Sequence, residues 1–361
     1  MKKAVPDRIA RLRAGLAECD LDGLVVSAPS NIFYLSGFTG SSGALLITAE
    51  RALLFSDFRY RLQSREQAPN FEFVEVSRDL LQGVGRAAAD IGAGRLGYES
   101  AHLTCELLGR LTEGVQNHEV VGVTGLVEDL RAIKSSDEIV PIRAAAALAD
   151  RALDHMISLL RPGATERDIA LEGEFFMRRA GAEAVAFDLI VASGPRSALP
   201  HAQTSTRELE PADLVVIDMG ATVNGYCSDM TRTFAVQTAT EQARQIYEIA
   251  HRAQRAAVAA VRAGARCGEV DALARTIIDE AGFGDCFGHG LGHGVGVDVH
   301  EAPYLREGDE TKLAAGNVVT VEPGIYLPDI GGVRLEDLLV VQADGAETLT
   351  TSAMPPELPV V

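Results

Sequence analysis

Two stretches of the 361-residue chain repeat one another at a fixed spacing. RPGATERDIALEGEFFMRRAGAE (161–183) matches RAGARCGEVDALARTIIDEAGFG (262–284) at an offset of 101 residues. Arg161, Gly163, Ala164, Asp168, Ile169, Ala180 and Gly181 fall on Arg262, Gly264, Ala265, Glu269, Val270, Ala281 and Gly282. Each copy reads as a turn followed by a helix. After each comes an apolar strand that ends in a carboxylate, with glycine two residues later: LVVIDMG with Asp218, and VVTVEPG with Glu322. A second carboxylate follows on the returning strand, Asp229 in YCSDMTRTF and Glu336 in GVRLEDLLVV. The offset grows to 104 and then 107, as small loop insertions would make it. Four correspondences in the same order argue for two halves related by a pseudo-twofold axis.

The first pair of carboxylates can be placed by register. Asn224-Gly225 between two strands is a hairpin turn of type I′. A two-residue loop there pairs Asp218 with Thr231 and sets Asp229 diagonally across from Asp218 on the same face. The bland reading is a solvated hairpin face. Apolar neighbours, and recurrence of the pair as Glu322 and Glu336, favour a buried site instead. Buried carboxylates repel unless a cation or a proton lies between them. Four acids plus a histidine suit two divalent ions about 3.5–4 Å apart. Hard carboxylates fit manganese, cobalt, magnesium, iron(II) or zinc. A water between such ions would ionise near neutral pH and serve as a hydroxide nucleophile. No GxSxG stretch offers a serine alternative, and neither Cys227 nor Cys267 lies in a nucleophile motif.

The imidazole comes from FGHGLGHGVGVDVHE (287–301), where His289, His293 and His300 sit among five alternating glycines. Helical spacing would put His289 and His293 on one face, but each glycine costs a helix about 1 kcal/mol relative to alanine. In extended chain, four residues span roughly 13 Å, too far for one ion to bridge. The stretch therefore supplies one ligand, and the others come from elsewhere. A phosphate cradle is excluded by the lack of GxGxxG after a strand and of a following P-loop lysine. His102, His118, His155 and His251 have no partner pattern and read as ordinary surface or core residues.

Ahead of the repeat lies a second unit. LDGLVVSA, GALLITA, RALLFS, FEFVEVS and RLGYES read as strands, and the segments near 6–18, 59–67, 79–91 and 103–114 as helices, which predicts an α/β domain with a mixed sheet. It has no dense His, Asp, Glu or Cys cluster, so packing, dimerisation or covering a site is its expected role. A boundary falls near 125–136, giving domains 1–128 and 129–361. There Ser135-x-x-Glu138 fits a capping box, and Pro141 is awkward beyond a first turn.

With 51 acidic against 33 basic residues the net charge is −18, which disfavours nucleic acid as a partner. No apolar run reaches the roughly 18 residues of a membrane span. The N-terminal segment has its apolar residues broken by arginines and reads as an amphipathic helix, not a signal peptide. Five scattered cysteines with no CxxC pair point to reduced thiols in a cytoplasmic protein.

These residues together resemble the pita-bread-fold metallopeptidases, in the Xaa-Pro branch of prolidase and aminopeptidase P. The resemblance spans nearly the whole chain: NIFYLSGFTGSSGALLI (31–47) and FSDFRY (55–60) look like its creatinase-type N-terminal domain. It implies an α+β protein, with a pita-bread catalytic domain of pseudo-twofold α/β repeats after a smaller creatinase-like α/β domain. Methionine aminopeptidases are similar in the catalytic domain but lack this N-terminal domain. The family's ligand order of Asp, Asp, His, Glu, Glu falls on Asp218, Asp229, His293, Glu322 and Glu336. The resemblance implies two divalent ions per chain, manganese first, with cobalt, zinc or iron as alternatives.

It also implies roles for other residues. His201, His289 and His300 would face the substrate and steady the peptide carbonyl and tetrahedral intermediate. Glu322 would be both ligand and proton shuttle. Arg334 would pair with the carboxylates, and Tyr326 is either part of the site or a packed strand tyrosine. Dipeptidases of the family commonly hold the substrate carboxylate with an arginine four residues after the histidine matching His300. Here that position is Tyr304, with Arg306 two residues on. The implied activity is hydrolysis of the Xaa-Pro bond of dipeptides, with aminopeptidase P action on longer peptides as the alternative. A metal-free creatinase-type hydrolase and a noncatalytic peptide-binding module share the fold, but the complete ligand set argues against both. A proline-containing peptide is the implied substrate and a homodimer the implied assembly.

Overall fold

A computed structural model describes residues 5–115 and 118–361. The chain separates into two compact units, Met1–Arg131 and Ala132–Val361.

The first unit is built on a six-stranded mixed sheet. Its strands run in the spatial order Glu72–Glu75, Ala52–Ser56, Ala44–Thr48, Gly23–Val26, Arg95–Glu99 and Glu119–Val123. The hairpin Ala44–Thr48/Ala52–Ser56 is antiparallel, and the outer strands on both sides add in parallel. The sequence reading does not anticipate the edge strand Glu119–Val123, the helix Pro29–Ser36 or the one-turn helix Glu128–Ala132 at the boundary. The strand is only 5 residues long and has no buried residue, and the helix Pro29–Ser36 is only 8 residues long. Neither length nor hydrophobic period marks them. Val25, Leu46, Phe55, Leu96 and Leu111 form the core.

The second unit carries the repeat, and the two copies agree in detail. The repeat helices are Glu166–Arg179 and Cys267–Glu280, with both ends displaced by the same interval as the sequence match. The turn before each is closed by equivalent backbone bonds: Gly163 N–H to Leu209 O and Gly264 N–H to Leu313 O, then Leu209 N–H to Ala164 O and Leu313 N–H to Ala265 O. Each half has its own long helix, Ser136–Ile157 and Glu241–Ala260. Each also has its own apolar core, one around Leu153, Ile169 and Ile217, the other around Ile246, Val270 and Val319. The capping box at Ser135 and Glu138 is formed, so the long helix starts where the sequence places it. Pro141 lies inside that helix, past its first turn, where it removes one backbone bond.

Two sheets line up the acidic strand ends. The first runs Met230–Ala235, Leu214–Met219, Ile190–Ser193. The second runs Glu301–Leu305, Gly292–Gly294, Val318–Val321, Asp337–Gln342, Gly345–Thr348. The hairpin register pairs Thr231 with Asp218, and the Asn224-Gly225 turn has both residues at positive φ, 49° and 74°. The sheets are stitched together where Glu336 N–H donates to the Thr231 carbonyl at 3.1 Å and Thr233 Oγ1 donates to the Arg334 carbonyl at 2.9 Å. This seam brings the carboxylates of both halves to one place.

Candidate metal centre and peptide cavity

The five residues Asp218, Asp229, His293, Glu322 and Glu336 line one cavity of about 520 Å³, within the range of ordinary small-molecule sites. Asp218 is the penultimate residue of strand Leu214–Met219, while Asp229 and Glu336 immediately precede strands Met230–Ala235 and Asp337–Gln342. Glu322 follows Val318–Val321, its N–H held by the Leu291 carbonyl at 2.8 Å. His293 is central in the short strand Gly292–Gly294. The neighbouring glycines explain that placement. A Cβ on Gly292 would collide with the Thr320 carbonyl, and one on Gly294 with that of Ala302, so adjacent strands close tightly on both sides of His293.

Asp229, His293 and Glu336 each present a ligand atom, and these atoms lie within 4.8 Å of one another. His293 Nε2 is 3.3 Å from Glu322 Oε1 and 3.6 Å from Asp229 Oδ2. Its Nδ1 lies 3.1 Å from the Gly294 carbonyl, which can only accept. Nδ1 therefore carries a hydrogen, and Nε2 is the nitrogen turned toward the carboxylates, sharing a proton with Glu322 that a bound cation would displace. Thr231 Oγ1 donates to Glu336 at 2.7 Å, and Thr320 Oγ1 donates to Glu322 at 3.2 Å.

Charge in this space is out of balance without a cation. Burial, with the fields of neighbouring carboxylates, holds Asp229 and Glu336 well above the usual carboxylate range. Asp218 is also raised, chiefly by burial, with Arg334 working against it. Glu322 goes the other way: burial would raise it, but the hydrogen bond and charge of His293 outweigh that. His293 is correspondingly raised against its own burial by Glu322. Asp218 Oδ1 is buried with no protein partner, while its other oxygen is bonded to Arg334. An orphaned carboxylate oxygen, acids that protonate for want of a counter-charge, and an oriented imidazole are the donor set that divalent ions fit.

Around the cluster runs a hydrogen-bonded chain of fixed direction. Arg334 Nη2 donates to Asp218 Oδ2 at 2.5 Å and Nη1 donates to Tyr326 Oη at 3.1 Å. Tyr326 Oη lies 2.9 Å from His289 Nε2, and His289 Nδ1 lies 2.8 Å from the Gly290 carbonyl. Since that carbonyl accepts from Nδ1, Tyr326 must donate to Nε2. His289 is thus a neutral ring, and burial depresses its pKa further. Tyr326 thus does more than pack on its strand: its hydroxyl links two residues of the cavity wall.

His201 and His300 line the same cavity, and both are exposed to it. The His300 ring lies 4.3 Å from that of His293, and burial followed by the field of His293 lowers its pKa. Arg334 Nη1 also holds the Pro200 carbonyl at 3.0 Å, next to His201. Tyr304 and Arg306 stand together on the wall, with the guanidinium 5.3 Å from the Tyr304 ring centroid. The residues expected at the site therefore line one cavity, except Tyr326, which is bonded to the wall residues His289 and Arg334. Phe187, Asp188 and Ile190, which complete the wall, carry no motif and were not anticipated.

Fold and site together define a two-domain metallopeptidase. Residues 141–343 match the model of metallopeptidase family M24, and residues 8–133 match that of the creatinase/prolidase N-terminal domain. The chain is 38% identical to the Xaa-Pro dipeptidase of Pyrococcus furiosus, over 95% of this chain and 97% of that protein. Among solved structures it superimposes on the Xaa-Pro dipeptidase from Bacillus anthracis with a TM-score of 0.95 and 41% identity, covering 99% of this chain and 100% of that one. The X-Pro aminopeptidase from Thermotoga maritima follows with a TM-score of 0.87 and 36% identity, covering 95% and 98%. The chain belongs to metallopeptidase family M24, in its Xaa-Pro peptidase branch, and its catalytic unit has the pita-bread fold. No helix among the described residues is long and apolar enough to cross a membrane.

Proposed function

We propose that this protein is a dinuclear-metal peptidase that hydrolyses the Xaa-Pro bond of dipeptides. One observation carries the reading: four carboxylates, two buried and two partly buried, converge with one oriented imidazole in a cavity of peptide size, and one carboxylate oxygen there has no protein partner. Asp218, Asp229, His293, Glu322 and Glu336 would hold two divalent ions, manganese in our reading, with cobalt, zinc or iron as alternatives. Bound there, the ions supply Lewis acidity at the scissile carbonyl and a water that ionises near neutral pH.

The chain's own residues do the rest. Glu322 accepts the proton of the attacking water and delivers it to the prolyl nitrogen as the C–N bond breaks. His201 and His300 donate to the oxygen that becomes negative in the tetrahedral intermediate. His289, neutral and tethered through Tyr326, lines the substrate side. Arg334 neutralises Asp218 and holds it in place. Arg306 takes the role of carboxylate receptor for the C-terminal proline. Its contact with Tyr304 and its Nε bond to Asp309 at 3.2 Å orient the remaining donors. A cytoplasmic homodimer, with the domain limits near residue 128, completes the proposal.

A second reading is an aminopeptidase acting on longer Xaa-Pro peptides. It is favoured by the half-open wall at Tyr304, 39% exposed, where a buried carboxylate receptor would close the cavity to longer chains. Hydrolysis of Ala-Pro, Ala-Pro-Ala and Ala-Ala with added Mn, Co and Zn separates these readings. Cleavage of Ala-Pro alone supports a dipeptidase, and turnover of the tripeptide supports an aminopeptidase. Equal turnover of Ala-Ala would defeat the proline specificity. Ion content below one per chain, with no hydrolysis after Mn or Co is added, would return a noncatalytic or metal-free role.

A further inference from the structure

Two buried acids, each paired with a partly exposed arginine, lie outside the cavity lining, one in each half. In the first half Glu166, fully buried, opens helix Glu166–Arg179. Its Oε1 accepts the Ser193 N–H and hydroxyl, both at 2.8 Å. Its Oε2 accepts the Ser205 N–H at 2.9 Å and hydroxyl at 2.6 Å. Arg196 Nε lies 3.3 Å and 3.2 Å from the two oxygens. Ser193 and Ser205 are the two ends of the loop that carries His201 into the cavity.

In the second half Asp271, also fully buried, lies on helix Cys267–Glu280. It binds Arg275 through both oxygens at 2.9 Å and accepts the Leu291 N–H at 3.0 Å. Arg275 then donates to the Phe287 carbonyl at 3.0 Å and the His289 carbonyl at 2.9 Å. Residues 287, 289 and 291 are thus gripped on the same side. The residues between them are Gly288 and Gly290, and no strand ladder begins until Gly292. Glycine has the largest backbone entropy to lose, so this segment has little intrinsic preference for the shape it takes.

We infer that Glu166 with Arg196, and Asp271 with Arg275, are positioning residues that fix the histidine-bearing segments of the two halves. Glu166–Arg196 sets the loop of His201, and Asp271–Arg275 sets the backbone of His289. The helices correspond in the repeat, but the acids do not occupy equivalent positions on them: Glu166 is the first residue of its helix and Asp271 the fifth of its own. The same task has been solved twice, with local chemistry. Charge-assisted bonds to backbone groups make the grip stronger than neutral contacts would. This inference rests on the substrate-facing role proposed above for His201 and His289.

The test uses the metal-loaded enzyme and the variants Asp271→Asn, Arg275→Lys and His289→Ala, alone and combined. Asp271→Asn should speed amide hydrogen exchange across 287–291 and lower turnover of Ala-Pro by about 10–100-fold, with metal content kept. In the His289→Ala background the same change should cost little further, because it acts through that ring. Arg275→Lys, which keeps the charge, guards against a variant that fails to fold. Unchanged exchange overturns the inference, and so does an equal further loss in the His289→Ala background. If His289→Ala by itself leaves turnover intact, the substrate-side role of His289 fails, and hydrogen exchange alone then decides the clamp. Glu166→Gln with His201→Ala repeats the test in the first half.

Discussion

Arg334, buried, binds one oxygen of the partly buried Asp218 at 2.5 Å, and the other oxygen has no protein partner. The arginine thus holds the acid in place while leaving its second oxygen to a cation. Arg334→Ala should lower metal affinity or turnover by about 10–100-fold. It should also destabilise the metal-free protein by about 3–5 kcal/mol, because the charge left behind is buried. Metal analysis and chemical unfolding read the two effects separately.

Asp229→Ala should abolish both metal retention and hydrolysis, since it removes a group that only a cation stabilises. His300→Ala should retain the ions and lose rate. Release of an ion by His300→Ala would show that the histidines have been divided wrongly.

Removing the ions should itself destabilise the fold, because the acids then repel or must protonate. Added Mn should raise the melting temperature of chelator-treated protein in proportion to RT ln(1 + [L]/Kd), about 2.7 kcal/mol at a hundredfold excess over Kd. A melting temperature indifferent to the ion would contradict the cluster as its site.

Tyr326→Phe should cost about 1–3 kcal/mol, because His289 Nε2 loses its donor and Arg334 loses an acceptor inside the protein. Turnover should fall alongside, with metal content unchanged. Denaturant unfolding and Ala-Pro hydrolysis measure the pair.

Glu166 predicts a pH effect on stability away from the ions. Burial by itself would raise its pKa, but the hydrogen bonds from Ser205 and Ser193 outweigh burial and lower it. A depressed folded pKa contributes stability that is present above the unfolded value of about 4.3 and is lost as pH falls through the lower folded value. Wild type should therefore lose more stability than Glu166→Gln on acidification from neutral pH to below pH 4.3. Equal losses in urea unfolding at the two pH values would count against the bond pattern at Glu166.

Much of the fold was legible because its signals are local or periodic. The repeat interval located both repeat helices, the Asn224-Gly225 turn fixed the Asp218–Thr231 register, and Ser135-x-x-Glu138 marked a helix start. The four carboxylates of the cavity are marked along the chain by the repeat and its strand ends, whereas the glycine-spaced stretch left its three histidines open and the choice of His293 came from the family resemblance. The supports are not marked. Glu166 and Asp271 look like ordinary helix acids in sequence. The loop groups they hold lie 27 to 39 residues from Glu166 and 20 from Asp271, and the helical Asp271–Arg275 spacing by itself says nothing of that loop. The direction of the Arg334–Tyr326–His289 chain also depends on which carbonyls face which ring nitrogens, and no pattern of residue types records that.

The two halves are alike in helices, turns and carboxylates, but not in the imidazole. The strand pairings Ser193 with Val215 and Gly294 with Val319 put Ala192 where the second half has His293. A perfectly twofold site would receive a peptide equally well in either direction. His293, with the other unmatched side chains of the wall, His201, His289, His300 and Arg306, removes that degeneracy, so the cavity offers different chemistry to the two ends of a peptide.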